Sequence, residues 1–402
     1  MQPVYLDNNA TTRTHPAVVA AMLPYFTERF GNASSGHAFG MAAADGVRAA
    51  RRQLQALLGA AHDHEIVFTS GGTEANSTAL LSALETQAGR DEIVTTAVEH
   101  PAILSLATHL EKTGRAKIHI IGVDAAGRLD MADFDRALGP RTALVSVMWA
   151  NNETGVVFPV AKLAQRAHQA GALFHTDAVQ AVGKHPIDLG TTDIDMLSLS
   201  GHKLHGPKGI GALYLRKGTP FRPLIRGGRQ ERGRRGGTEN VPAIVGLGVA
   251  AERAAGALAD GHHLRMRALR DRLEQGLLRR VGHCAVLGGE GERLPNTANI
   301  VFEYVDGEAL LLLLDRAGIA ASSGSACATG GMEPSHVLRA MRVPSNAVRG
   351  AIRFSLSVET SAADVDHVLT VLPDLVARLR TTSPPWRDRA AVAQLSQSAV
   401  CP

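Results

Sequence analysis

Between about residue 60 and residue 215 the chain repeats one pattern: a short β-branched run, a cluster of small and polar residues, then a helical period. The runs are EIVFT (65–69), EIVTT (92–96), KIHIIGV (117–123), ALVSVMW (143–149), ALFHTD (172–177), DMLSLS (195–200) and IGALYLR (210–216). Seven runs of strand length, separated by helix-length segments, predict an α/β domain around a mostly parallel seven-stranded sheet. In such sheets ligands bind beyond the carboxyl ends of the strands. Polar clusters fall there repeatedly, because SGGTE, VEHP, ANNETG, HTDAVQ and SGHK follow five of the runs. Five strand ends therefore aim polar groups toward one site.

After about residue 245 the texture changes. A helical pattern over roughly 242–281 reads as one long helix. TANIVFEYV, a helix at 307–317, the small-residue run AASSGSACATGG, the strand IRFSLS and a helix near 363–379 then predict a second, smaller α+β unit. The expected organisation is a large domain at 16–255, with a small domain from 1–15 and 256–385. The small domain would include a mobile cysteine loop at 321–332, and 386–402 would form a tail. Aromatic residues are 4% of the 402, so the core must be packed mainly by Ala, Leu, Val and Ile. A formal charge of +4 does not point to nucleic acid. The start, MQPVYLDNNATT, has no basic stretch leading into an apolar one, and the run at 309–314 is too short to cross a bilayer. Three widely spaced cysteines, Cys284, Cys327 and Cys401, exclude a disulfide framework and a paired-cysteine metal site. Free thiols in a reducing, cytoplasmic compartment are expected, with no membrane partner.

Several residues carry chemistry beside a plainer reading. The glycine pair and Thr73 of SGGTE open a helix, so they make either an anion site or an ordinary cap by Thr73. Asp177 ends an apolar strand, where a carboxylate needs a cation or several donors. A protonated ring nitrogen would serve, and so would a buried arginine pair. Gln180, three residues on, could reach the same ligand. His100 could stack on a flat ring and move protons, or merely cap a helix. Arg353 inside IRFSLS suits a bidentate grip on a carboxylate or a structural ion pair equally. Five arginines among the glycines of residues 226–240 suit a phosphate better than RNA, since no aromatics interleave. Cys327 sits among Ser, Gly and Ala, a setting suited to a thiolate on a mobile arm. Lys203, alone in SGHKLHGPKG, would be a surface charge. Combined with an anion loop and a strand-end aspartate, it reads as a Schiff-base lysine, and the set matches what pyridoxal 5'-phosphate requires.

These motifs, with YLDNNATT, NNETG, GGTEN and SSGSAC, run from residue 5 to about 357. The chain resembles the cysteine desulfurases, pyridoxal-phosphate enzymes related to class V aminotransferases. SVMWANNETG, KLHGPKG and QERGRRGGTEN are most similar to the nitrogen-fixation group of that family. The resemblance implies pyridoxal-phosphate fold type I and a homodimer. It implies Lys203 bonded to the cofactor, His100 stacked on the ring, Asp177 on the ring nitrogen and Gln180 on the phenolic oxygen. Gly72, Thr73, Ser200 and His202 would hold the phosphate, with Thr238 reaching across from the other subunit. Asn152 and Arg353 would orient L-cysteine. Cys327 would receive its sulfur as a persulfide, passing it to an iron–sulfur scaffold protein and so touching metal only through that cargo. A selenocysteine lyase or another class V aminotransferase-type enzyme is the alternative.

Overall fold

The computed structural model describes residues 3–323 and 335–387. Its strands are β1 (Val4–Tyr5), β2 (Ile66–Thr69), β3 (Glu92–Thr96), β4 (Lys117–Ile121), β5 (Thr142–Ser146), β6 (Leu173–Asp177), β7 (Met196–Ser200) and β8 (Gly211–Leu215), followed by β9 (Cys284–Val286), β10 (Thr297–Phe302), β11 (Ile319–Ala320), β12 (Ser322–Ser323) and β13 (Ala351–Ser355). The predicted large sheet forms with the order β2-β8-β7-β6-β5-β3-β4. Every strand runs in one direction except β8, which is antiparallel to both of its neighbours.

The strands are buried nearly throughout, the edge strand β4 excepted, because both faces are covered. Ile66 and Phe68 pack into the core on one face, while Val67 enters the core on the other, as the two-residue period requires. The first face is covered by the helices Ala38–Leu58 and Val241–Ala259, which lie close together. A Cβ on Gly248 would come within 2.4 Å of Gln53 Oε1 and 2.5 Å of Ala50 Cα, so the glycine sets how closely these helices approach. Helix Val241–Ala259 is long and apolar enough to cross a membrane by length and composition, but half of its apolar window is buried against the rest of the fold. The helices Gly72–Thr86 and Pro101–Lys112 supply the second face.

The expected long helix over 242–281 is two helices, Val241–Ala259 and His262–Arg280. Gly261 breaks them with a left-handed φ of +71°, and apolar periodicity alone does not register such a break because it resumes at once. The antiparallel sheet β12-β13-β10-β9 and the helices Gly307–Arg316 and Ala362–Thr382 form a separate core around Ile300, Phe302, Leu310, Ile352 and Phe354. Val337, Leu338, Met341, Ala347 and Val348 pack instead with the larger core.

The segment from β1 to His15 joins the two cores. Leu6 N–H donates to Ala320 O (2.8 Å), and Asn8 Nδ2 donates to Ser355 O (2.9 Å). On the other side Thr12 N–H donates to His202 O (2.8 Å) and His15 N–H to His205 O (3.0 Å). Asn9, 2% exposed, is the centre of this joint. Its Nδ2 donates to Thr297 Oγ1 (2.9 Å) and Asn152 O (3.1 Å), and its Oδ1 accepts from Asn296 Nδ2 (3.0 Å). Replacing Asn9 with alanine strands these buried partners. The expected loss is about 2–3 kcal/mol, seen as a lower denaturant midpoint, whereas Asn9→Asp, which keeps only the acceptor, should fall between the two.

Candidate active site

Because β2, β3, β5, β6 and β7 share one direction, their carboxyl ends bring all five polar clusters to the same edge. Asp177 closes β6 and is buried. Its carboxylate accepts from Asn76 Nδ2 at 2.7 Å and from the Val179 N–H at 3.0 Å. Among the described residues no arginine pairs with it, so the ion-pair reading gives way to an amide partner. Asn76, on the first turns of helix Gly72–Thr86, was not singled out in the sequence. Its spacing of four from Gly72 was the available signal.

His100 is the N-cap of helix Pro101–Lys112, and its Nδ1 accepts from the Ala102 N–H at 3.1 Å. The capping reading is therefore correct, and it places the ring proton on Nε2. The ring also faces the site. Burial lowers its pKa, Asp177 opposes that shift, and Lys203 and His336 add to it, so the imidazole is neutral at pH 7.

Lys203 ends the short 3₁₀ turn Gly201–Lys203 after β7 and is half-buried. Its Nζ donates to the carbonyls of Asn9 (2.5 Å) and Ala10 (2.6 Å). Gln180 donates from Nε2 to the same Asn9 carbonyl at 3.0 Å. His202 pairs through Nδ1 with Thr11 Oγ1 at 3.2 Å. Burial, together with Lys203, Lys208 and Lys184, pushes its pKa down to about 4.

The helix carrying Thr73 begins at Gly72, with Gly71 as an N-cap that provides no side-chain hydrogen bond. Thr73 is thus not the cap. Among the described residues no acceptor meets the N–H groups of Gly72 and Thr73. A Cβ on Gly72 would lie 2.8 Å from Val179 Cγ2 and 3.7 Å from Ser200 Cβ, so only glycine leaves the space between this helix start, β6 and β7 open.

Arg353, 3% exposed on β13, pairs through Nη2 with Asp7 Oδ1 (2.9 Å) and donates from Nη1 to Asn152 O (3.1 Å). The structural ion pair exists. Nε is buried with no partner among the described residues. In ANNETG the turn is built by Asn151, whose Oδ1 accepts from the N–H groups of Glu153 and Thr154. That leaves Asn152 half-buried beside Arg353. The structure thus groups Gly72, His100, Asn152, Asp177, Gln180, Ser200, His202, Lys203 and Arg353. Thr238 stands apart, exposed in a cavity of about 260 Å³ with Ser70 and Gly209. Two of the five loop arginines, Arg226 and Arg235, pair with Glu85 and Glu74. Cys327 and Cys401 lie outside the described residues. The described flanks of the Cys327 segment do reach the site: Ser322 pairs with Arg353 across β12 and β13, Ser335 Oγ donates to Glu153 Oε2 (2.6 Å), and His336 Nε2 meets Glu99 O (2.9 Å).

Residues 4–368 match the model of the class-V aminotransferases. The chain belongs to that family. It is 67% identical over 394 residues to a cysteine desulfurase of Gluconacetobacter diazotrophicus, covering 98% of each chain. It is 57% identical over 392 residues to the cysteine desulfurase NifS of Azotobacter vinelandii, covering 98% of this chain and 97% of that one. A solved NifS-like protein superposes with a TM-score of 0.87 at 37% identity, covering 94% of this chain and all of the other. The sheet and the second α+β core are those of a fold type I pyridoxal-phosphate enzyme.

Glu99, adjacent to His100, escaped the sequence reading because its Met148 partner is distant in sequence. It is fully buried, with Oε1 accepting from Met148 N–H (2.9 Å) and Thr96 Oγ1 (2.8 Å). Burial pushes its pKa up to about 8, the hydrogen bonds oppose that shift, and Asp177 adds to it. A folded-state pKa above the unfolded value means a proton is taken up on folding. The resulting stability is full below about pH 4.5 and is lost as pH rises toward 8. Glu99→Gln removes that term. The denaturant midpoint of the variant, compared with the parent, should therefore improve from pH 5 to pH 8, and a constant gap would place the titration elsewhere.

Proposed function

We propose that this protein is a pyridoxal-phosphate-dependent cysteine desulfurase that removes sulfur from L-cysteine, leaves L-alanine, and carries the sulfur on Cys327 as a persulfide. Relatives at 57–67% identity bearing that name support the reading. What carries it in this chain is the convergence of an amine, a buried carboxylate and a neutral imidazole on an uncapped helix start.

These residues fit the cofactor. The open space at Gly72 and the unpaired N–H groups of Gly72 and Thr73 suit a phosphate, with Ser200 and His202 beside them. Among the described residues Asp177 has neutral donors and no cationic partner, so a protonated ring nitrogen would complete it. Pyridoxal phosphate supplies an aldehyde for amines and a ring that accepts electron density from the substrate's α-carbon.

The chain's own groups do the rest. Lys203 would hold the cofactor through its aldehyde, and its free amine would take the substrate's α-proton. Asp177 would keep a proton on the ring nitrogen. Arg353 and Asn152 orient the substrate, Arg353 through its carboxylate. His100 relays a proton from Nε2. The Cys327 thiolate attacks the substrate sulfur, so an S–S bond forms while the Cβ–S bond breaks and its electron pair stays with carbon. Protonation of that carbon, and return of a proton from Lys203 to the α-carbon, give alanine. Persulfide sulfur then passes to an iron–sulfur scaffold protein, nitrogenase assembly being the destination suggested by the NifS relative. We place the enzyme in the cytoplasm as a homodimer, with Thr238 serving the partner's site.

Protein loaded with pyridoxal phosphate and given L-cysteine plus a thiol reductant should release alanine and sulfide in equal amounts. Pyruvate with ammonia would instead mark a β-elimination lyase. Cys327→Ala should keep the bound-cofactor absorbance yet form no persulfide, and Lys203→Ala should lose turnover.

A further inference from the structure

Lys184 lies outside every role assigned above. It sits four residues beyond Gln180 on the helical turn that follows β6, and it is 7% exposed. Its Nζ donates to the Gln180 backbone carbonyl at 3.2 Å and to Gln180 Oε1 at 3.1 Å. Gln180 is itself 6% exposed, with Nε2 committed to Asn9 O at 3.0 Å.

A carboxamide can in principle face either way, and here both ends are decided. The lysine nitrogen has hydrogens to give, whereas the Asn9 carbonyl only accepts. Turning the amide over would set donor against donor and acceptor against acceptor in a buried place, leaving both ends desolvated and unpaired. Oε1 is therefore held on Lys184. Nε2 spends one hydrogen on Asn9 and keeps a second.

We propose that Lys184 is a positioning residue that locks the Gln180 carboxamide as a hydrogen-bond donor toward the phenolic oxygen of the cofactor. The inference rests on the placement of Gln180 in the proposed function and adds the residue that fixes its polarity. Donation to a phenolate oxygen favours its charged form, whereas an amide oxygen in the same place would repel it. The lock is coupled to Lys203, because both Gln180 and Lys203 use the Asn9 carbonyl. Burial, with Lys203 and Arg353 nearby, pushes the Lys184 pKa down to about 7. An amine and an ammonium both carry N–H groups, so the hold on Oε1 does not depend on the charge.

The test compares K184M, which keeps the length and loses the donor, with K184Q, which keeps a donor and loses the charge. Apoprotein of each is titrated with pyridoxal phosphate, and the absorbance spectrum of the bound cofactor is recorded. K184M should bind about tenfold more weakly, the equivalent of one hydrogen bond, and its bound-cofactor band should shift. K184Q should restore the parent band and come within about threefold of its affinity. A parent-like band and affinity in K184M would overturn the proposal, and so would K184Q behaving like K184M. Should K184M fail to fold, K184Q decides alone: the parent's band supports the lock and a shifted band overturns it. Parent protein that takes up no pyridoxal phosphate would sink the functional reading and this inference with it, an outcome distinct from an unchanged K184M.

Discussion

The site depends on one N-terminal segment, residues 4–15, that is stitched to both cores at once. Asn9 bonds to Thr297 and Asn296 on one side and to Asn152 on the other, while its carbonyl receives Lys203 and Gln180. Thr12 and His15 hold the turn after Lys203 through His202 and His205. That turn is strained, since His205 has a left-handed φ of +59°. Such a conformation costs of order 1–3 kcal/mol and persists only where the surroundings over-determine it. Here they do: the His205 N–H donates to Thr12 Oγ1 (2.8 Å), its carbonyl accepts from His15, and its ring nitrogen meets Arg13 O (3.0 Å). Lys203 is thus positioned by residues some 190 positions away, not by its neighbours in sequence.

Burial also sets the charge of the site. Glu99 and Glu153 are pushed up to about 8 and about 7, Lys184 down to about 7 and His202 down to about 4, in each case chiefly by desolvation. Groups that would be expensive to bury as ions are held largely or partly neutral. Asp177 keeps neutral donors, and the guanidinium of Arg353 keeps Asp7. The result is a polar but lightly charged cleft. It offers the N–H groups of the helix start and the Lys203 amine to an anionic aldehyde.

The large sheet was legible because strand patterning and the phase of the polar clusters agree with each other. Six of the seven strands fall within a residue or two of the runs and β5 ends three residues early at Ser146, and the clusters converge because a parallel sheet brings its carboxyl ends together. The individual roles at those ends were less legible. Asn76 meets Asp177 across 101 residues, Asn9 meets Gln180 across 171, and Glu99 meets Met148 across 49. No local pattern encodes such pairings. The split at Gly261 was missed for the opposite reason, since the apolar period continues across a single left-handed residue. Lys184 carried a readable clue, a spacing of four from Gln180, but a lysine in a turn ordinarily belongs to the surface.

The two helices that open onto the site begin in opposite ways, and the contrast is functional. Pro101–Lys112 has a side-chain cap from His100, and the same nitrogen that caps it fixes which nitrogen of the ring bears the proton. In the proposed function folding and proton transfer share this residue, so a His100 variant must be read in both stability and turnover. Gly72–Thr86 has no side-chain cap. A serine or aspartate there would stabilise the helix by only a few tenths of a kcal/mol over glycine, but its oxygen would take up the N–H groups that an anion needs. Glycine at the cap leaves the helix start less stable by itself, with its N–H groups open to the phosphate of the proposed cofactor.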